Sequence, residues 1–143
     1  MNTIHKRSID ILEDTIRKAE EYVDYLQFLK PSDKNNKILK KSYYTFASDL
    51  IQNTNSNESL MSEITLSIYK TDSINEDIQT QIFGKYFDNC VLFRTILEEY
   101  LQINERMVSA QTLPFPVKDI IKQTDIFIRK LTALKNSHYN LQN

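Results

Sequence analysis

Apolar residues recur every three or four positions through most of this chain, which is the spacing that places them on one face of an α-helix. The clearest stripe lies in residues 8–29, where the alternation of three- and four-residue steps is unbroken: Ile9, Leu12, Ile16, Ala19, Val23 and Leu26. Similar stripes predict helices over residues 33–53, 73–110 and 117–137. We expect an all-α protein folded as one domain over residues 1–143.

The stretch 73–110 is the longest of these predicted helices, and the others are expected to pack around it. No proline interrupts it, and it carries two adjacent apolar stripes, so it should contact neighbours on more than one side. At about 1.5 Å per residue it would extend about 55 Å, against roughly 30 Å for a partner of 20 residues. Either the helix bends at Gly84, the only glycine, and folds back over its own bundle, or one end projects beyond its partners.

The pattern also predicts which side chains form the core. They are the stripe residues of the four main helices: Ile16, Val23, Leu39, Phe46, Phe93, Leu97, Tyr100, Leu101, Phe127 and Leu131. The proline after Lys30 should end the first helix, and Ser32 or Asp33 should cap the second.

Residues 53–70 are the hardest part of the chain to interpret. The run Asn-Thr-Asn-Ser-Asn at 53–57 predicts a polar connection. In residues 58–70, Ile64 and Ile68 fit a short helix, whereas Ile64, Leu66 and Ile68 also alternate as in a strand. We favour the helix because the sequence offers no second strand to pair with. The predicted fold is therefore an antiparallel four-helix bundle, plus one short helix, around the long central helix.

Composition supports long helices and argues against several classes of function. One glycine and three prolines are too few for the turns that β-hairpins require. The net charge of −1 lacks the basic character typical of nucleic-acid-binding proteins. Charge is nevertheless uneven, because residues 9–29 hold six acids and two bases, whereas residues 30–41 hold five lysines and one aspartate. We interpret this alternation as charge complementarity between neighbouring helices.

A lysine stripe near the start of the second helix is the main alternative to that interpretation. It is a candidate polyanion contact, formed by Lys34, Lys37, Lys40 and Lys41. Tyr43 and Tyr44 follow it closely, and basic residues interleaved with aromatic ones could bind nucleic acid. A solvated lysine face is the simpler explanation, so nucleic acid remains the alternative partner.

The residues needed for catalysis or metal binding are few. Cys90 is the only cysteine and lies on an apolar stripe, which is typical of a small buried hydrophobe. Neither His5 nor His138 has an acidic residue three or four positions away, and His138 is expected in the frayed end 138–143. A glycine-rich phosphate loop is absent. We therefore expect no metal, no cofactor and no enzymatic activity.

Two polar residues interrupt the apolar stripe of the long helix. Arg94 and Asn104 are candidate inward polar residues, and together they could line a pocket for a small anionic ligand or substrate. Alternatively, Arg94 reaches the edge of the bundle and pairs with Glu98 or with an acid on the first helix. Asn104 would then specify the register of the helices.

The length of the predicted central helix indicates an interaction surface. Because such a helix could not bury both stripes against shorter partners, some of its apolar residues should contact another protein. The candidates are Phe83, Tyr86, Phe87, Ile103, Met107 and Val108. We expect a cytoplasmic, non-enzymatic interaction module, such as an adaptor, inhibitor, immunity-type or regulatory protein. Its partner would be another protein or a second copy of itself, and no membrane is expected to take part.

Overall fold

The computed structural model describes residues 2–33, 35–70, 76–110 and 114–139. Within these ranges the chain forms no strand and four α-helices, namely α1 (Asn2–Gln27), α2 (Asn36–Lys70), α3 (Glu76–Val108) and α4 (Val117–Tyr139). A short 3-10 turn, Pro31–Asp33, lies between α1 and α2. The predicted all-α class is confirmed.

The apolar stripes of the four helices meet in one core. α1 and α3 each pack against both α2 and α4. Two stacked aromatic pairs cross between neighbouring helices, Tyr22 with Phe46 at 4.2 Å and Tyr100 with Phe127 at 4.3 Å between ring centroids. The predicted core residues are buried, except that Leu101 is only partly buried at the edge of the cluster. Helical periodicity alone therefore identified the residues that hold the helices together.

The predicted break at 53–57 and the separate short helix at 58–70 are wrong, because α2 continues through both. The polar run stays helical because its side chains find partners on α1. Asn53 donates to Asp14 Oδ2 at 3.0 Å and to Thr15 Oγ1 at 2.9 Å. Ser8 donates to Asn57 Oδ1 at 3.3 Å. These residues therefore form a polar contact between two helices, in place of the predicted polar connection.

The ends of the first two helices also differ from the predictions. α1 begins at Asn2, before the predicted start at Ser8. The cap of α2 is Asn35, whose Oδ1 accepts hydrogen bonds from the backbone N–H groups of Lys37 and Ile38 at 2.9 and 3.4 Å. An asparagine at this position satisfies backbone donors that the first helical turn leaves open. Ser32 and Asp33 belong to the preceding 3-10 turn.

The expectation that α3 is about twice as long as its neighbours is wrong. α3 has 33 residues and α2 has 35, while α1 has 26 and α4 has 23. The predicted start of the long helix at residue 73 lies outside the described residues. α3 runs through Gly84 as continuous helix. In the described part of the chain, no helix is both long enough and apolar enough to cross a membrane.

Replacing Gly84 by alanine is expected to raise the free energy of unfolding by about 0.5 to 1 kcal/mol. The backbone here is helical, and among the described residues a Cβ atom at this position would meet no atom within 4 Å, apart from its chain neighbours and the backbone of its own helix. Alanine therefore restricts the unfolded chain without creating a clash. Urea denaturation followed by circular dichroism measures the difference. A loss of stability would show that the glycine is needed for a bend or for close approach of another chain.

The connection between α3 and α4 closes one end of the core. Phe115 lies between two prolines and is buried. Its backbone N–H donates to Asn36 Oδ1 at 2.6 Å, which ties the connection to the start of α2. At the other end of α4, the predicted fraying at residue 138 is wrong, since His138 is helical and buried. Residues 140–143 lie outside the described residues.

Candidate functional site

The six candidate contact residues of α3 do not share one exposed surface. Phe87 and Ile103 are exposed, with 50% and 42% of their surface accessible. Met107 is partly buried against the core. Tyr86 and Val108 are buried, which corrects their assignment to an interaction surface. The side chain of Phe83 lies outside the described part of the structure.

Tyr86 and Val108 are buried because of their position around the helix. Tyr86, Phe93 and Tyr100 follow one another at steps of seven, so they lie on one face of α3. All three are buried, and Tyr100 stacks on Phe127 of α4. Phe87 is one position further around the helix and therefore lies on the side next to α2. Tyr86 and Phe87 are both apolar aromatic residues, so their residue types alone could not show which of them faces the core.

A groove of about 420 Å³ lies between α2 and α3, on the same side as Phe87. Its walls combine apolar side chains with one cation and two carboxylates, and it is lined by Glu58, Met61, Ser62, Thr65, Phe87, Cys90, Val91, Arg94, Thr95 and Glu98. Met61 and Cys90 are buried, whereas Phe87 and Val91 are about half exposed. We call this feature the α2–α3 groove. An apolar groove with a charged rim is the kind of surface that accepts an amphipathic helix.

Arg94 lies at the rim of this groove and does not point into the core. Its Nε donates to Glu58 of α2, and its Nη1 donates to Glu98 Oε1 at 3.1 Å. The hydrogen bond and the charge of Arg94 lower the pKa of Glu58. The candidate assignment of Arg94 as an inward residue is therefore wrong. The alternative, in which Arg94 reaches the edge of the bundle and pairs with Glu98, is the one observed, and Arg94 also pairs with Glu58 of α2, which was not predicted.

Asn104 is fully buried, as predicted for an inward polar residue. It lies near the hydroxyl groups of Tyr43 and Tyr100, and the Tyr100 hydroxyl is 2.6 Å from Thr124 Oγ1. Burial raises the pKa of Tyr100 to about 12, and the neighbouring amide and hydroxyl groups partly oppose that rise. Neither amide atom of Asn104 has a hydrogen bond of good geometry among the described residues. Three helices thus contribute to a polar layer inside the core.

Arg94 and Asn104 are not brought together. Ten residues of helix separate them by about 15 Å, and Asn104 does not line the α2–α3 groove. A pocket lined by both residues is therefore not supported. Arg94 belongs to the surface, and Asn104 belongs to the polar layer of the core.

The lysine stripe is exposed but only partly described. Lys37 and Lys41 are exposed and Lys40 is partly buried, while Lys34 lies outside the described residues. Lys41 lines a different groove, between α1 and α2, together with Lys18, Glu21 and Asp49. Tyr43 is buried and is unavailable for stacking on a base. The surroundings of these lysines therefore have mixed charge.

We expect the protein not to be retained on heparin at low salt. The lysines that the structure describes do not form a uniformly basic surface, and the net charge of the whole chain is −1. Heparin chromatography of the wild type tests this directly. Retention that disappears when Lys34, Lys37, Lys40 and Lys41 are all changed to glutamine, with helicity unchanged, would establish the polyanion contact instead.

The pattern along the sequence did not predict a buried cluster that contains both histidines. His5 of α1 and His138 of α4 stack with ring centroids 5.2 Å apart. His5 Nδ1 is 2.6 Å from the Tyr86 hydroxyl, and Asn89 Nδ2 donates to His138 Nδ1 at 2.8 Å. The two histidines lie near opposite ends of the chain, so no local spacing could connect them.

The sequence analysis also did not identify Val91 of the α2–α3 groove, although Val91 lies four residues after Phe87 and therefore on the same side of α3.

Comparisons with protein-family models, with curated proteins and with solved structures found no match.

Proposed function

We propose that this protein is a non-enzymatic interaction module that binds another polypeptide in the α2–α3 groove. The observation that best supports this proposal is that Phe87 and Val91 expose apolar surface beside the groove, in which Met61 and Cys90 are buried. Burying a large apolar side chain contributes about 1.5 to 3 kcal/mol. Two such side chains next to a concave surface provide an anchor point of the kind found at protein interfaces.

The scaffold that we propose for this groove is an antiparallel four-helix bundle. Contacts between neighbouring helices support it, because early residues of one helix meet late residues of the next. Arg7 pairs with Glu63 and Ser8 with Asn57 between α1 and α2. Between α3 and α4, Asn89 meets His138 and Tyr100 meets Thr124. Such a bundle holds the two walls of the groove at a fixed separation.

The charged rim would select the orientation of the bound segment. Arg94 is held between Glu58 and Glu98, so the rim presents one cation flanked by two anions. Exposed ion pairs contribute little to stability, with a median of about 0 to 1 kcal/mol. Their effect on association is greater, since complementary charges favour one partner and one register. The groove would therefore best fit an amphipathic helix with a basic residue near its apolar face.

The chemistry of the groove favours binding over catalysis. The groove has no histidine, and burial raises the pKa of the Cys90 thiol, so the thiolate needed for nucleophilic attack is disfavoured. In the described residues, no group of three or more histidine, cysteine, aspartate or glutamate side chains is placed to hold a metal ion. An adaptor, inhibitor, immunity-type or regulatory role in the cytoplasm is the proposal that these features support.

Sedimentation equilibrium at micromolar concentration tests whether the groove binds a second copy of the chain. The expected result is a dimer that becomes a monomer when Phe87 and Val91 are both changed to serine. Leu92→Ser is the matched control, because Leu92 is also about half exposed on α3 but does not line the groove. If the wild-type protein is strictly monomeric, the homodimer is ruled out and the partner must be a different protein.

A further inference from the structure

The buried histidine cluster joins the start of α1 to the end of α4 and to α3. His5, Tyr86 and His138 are each less than 5% exposed. The Tyr86 ring packs edge-on against both imidazoles, with centroid distances of 5.8 Å to His5 and 5.0 Å to His138. Asn89 completes the cluster through its hydrogen bond to His138. Two ionisable rings therefore stack inside the protein, where a charge is poorly solvated.

The hydrogen bonds of the cluster suit uncharged rings. An amide nitrogen only donates, so Asn89 Nδ2 fixes His138 Nδ1 as an acceptor and leaves the ring proton on Nε2. A proton added to Nδ1 would meet the amide N–H₂ group. His138 Nε2 has no hydrogen-bond partner among the described residues, so a charged ring would also lack an acceptor there.

Both histidines are held neutral at physiological pH. Burial lowers the pKa of His138 to about 4, with a further contribution from the charge of His5. Burial also lowers the pKa of His5. His138 lies in the last turn of α4, where the helix dipole favours a cation. That effect acts in the opposite direction, and burial among apolar rings outweighs it.

Among the side chains that the structure describes, no carboxylate compensates for a protonated His138 ring. The described titratable and charged side chains near this end of the four helices are Lys6 and Arg7 on α1, Glu58 and Glu63 on α2, Lys85, Asp88 and Cys90 on α3, and Lys135 on α4. Glu63 is paired with Arg7, and Glu58 with Arg94. Lys6, Lys85 and Asp88 are exposed. Within the described ranges, no carboxylate forms an ion pair with His138.

We propose that this cluster is an acid-sensitive latch, in which protonation of His5 or His138 releases the start of α1 and the end of α4 from α3. Two like charges on stacked rings repel one another, and each ring gains hydration when the helix ends separate. Opening uncovers Tyr86, which is adjacent to Phe87 on α3. The latch therefore links the pH of the surroundings to the exposed apolar surface of that helix.

The sign of the effect follows from proton linkage. The pKa of His138 is lower in the closed state, at about 4, than its ordinary value of 6.5. In the closed state, the start of α1 and the end of α4 are packed against α3. The stabilisation of this state by neutral His138 is fully present above pH 6.5 and is lost as the pH falls from 6.5 towards 4. Between pH 7 and pH 5 His138 alone is expected to raise the opening equilibrium by roughly 20-fold. His5 acts in the same direction.

Asp14 and Glu58 act in a different pH range from the histidines. Side-chain hydrogen bonds from Asn53, Lys18 and Arg17 outweigh burial and lower the pKa of Asp14 to about 2. The stability that Asp14 contributes is therefore lost only as the pH falls below 3.8 towards 2. Glu58 likewise has a lowered pKa, from an ordinary value of 4.5. Asp14 and Glu58 therefore contribute little to a comparison of pH 7 with pH 5, and the variant without either histidine shows what the histidines contribute.

Hydrogen–deuterium exchange of the full chain at pH 7 and pH 5, corrected for intrinsic exchange rates, tests the latch. We expect protection of residues 5–12 and 131–138 to fall by roughly 20-fold at pH 5, while residues 93–104 of α3 keep theirs. The matched variant carries both His5→Gln and His138→Gln, and its protection should be the same at the two pH values. Wild-type protection that does not change, or a change that persists in the variant, would overturn the proposal.

Titration of the histidine ring protons by nuclear magnetic resonance gives a second test that requires no variant. The expected result is that the His138 resonance stays at its neutral position down to pH 5.5, because burial lowers the pKa of His138 to about 4, and that the His5 resonance titrates below the ordinary pKa of 6.5. Resonances that titrate near pH 6.5 without any loss of protection would show that charged rings fit the closed state, and they would overturn the latch even if the glutamine variant failed to fold.

Discussion

Replacing Leu97 by alanine is expected to lower the free energy of unfolding by about 2 to 5 kcal/mol. Leu97 is 3% exposed and belongs to the shared core. Truncation removes buried apolar surface and leaves a cavity, since the neighbouring helices relax only partly. Because all four helices contribute to this core, the loss should appear as one cooperative shift in a urea denaturation curve.

Leu92→Ala is the matched control, on the same helix and with the same atoms removed. Leu92 is 48% exposed, so its loss should cost less than about 1 kcal/mol. The two leucines differ only in the side of α3 on which they lie. Equal losses for both variants would mean that the assignment of inner and outer faces of α3 is incorrect.

Replacing Asn104 by leucine is expected to raise the free energy of unfolding by about 1 to 3 kcal/mol. Asn104 is 0% exposed, and its two amide atoms have no well-formed hydrogen bond among the described residues. Leucine has a similar branched shape and needs no hydrogen-bond partner. The asparagine therefore reduces stability, a cost that is expected when a polar residue fixes the register of packed helices.

Asn89→Leu is the matched control, because it makes the same substitution at another buried asparagine. It is expected to lower the free energy of unfolding, where Asn104→Leu is expected to raise it. Asn89 is also a buried asparagine of α3, but its Nδ2 donates to His138 Nδ1 at 2.8 Å. Leucine there would leave a buried ring nitrogen without its donor, which costs about 1 to 3 kcal/mol. If Asn104→Leu also reduced stability by more than about 1 kcal/mol, the Asn104 amide would have to be satisfied, either by the Tyr43 and Tyr100 hydroxyl groups or by bound water.

The sequence predicted the core because burial follows helical periodicity. Ile16, Phe46, Leu97 and Phe127 each lie on a stripe at three- and four-residue steps, and each is buried. The stripe of a helix can be identified from the sequence of that helix alone, without knowing which helices pack against it. The same reasoning identified Asn104 as an inward residue, because it continues the stripe of α3.

Predictions failed where the outcome depends on contacts between helices. Asn53 and Asn57 have the composition of a loop, yet they remain helical because α1 supplies their hydrogen-bond partners. Arg94 continues an apolar stripe, yet Glu58 of α2 holds it at the surface. The histidine cluster needs the first and last helices to meet, so it leaves no signal in local spacing. The groove depends likewise on α2 being long enough to flank α3.

We propose that the exposed apolar side of α3 beside the α2–α3 groove is the surface that contacts another polypeptide. Photo-crosslinking in an extract of the native cell tests this proposal, with a photoreactive phenylalanine analogue placed at Phe87 in one variant and at Phe28 in another. Phe28 is the control because it is 80% exposed and does not line the groove. We predict a discrete protein adduct from position 87, either with a second copy or with another protein, and none from position 28. No adduct from position 87, or the same adducts from both positions, would contradict the claim.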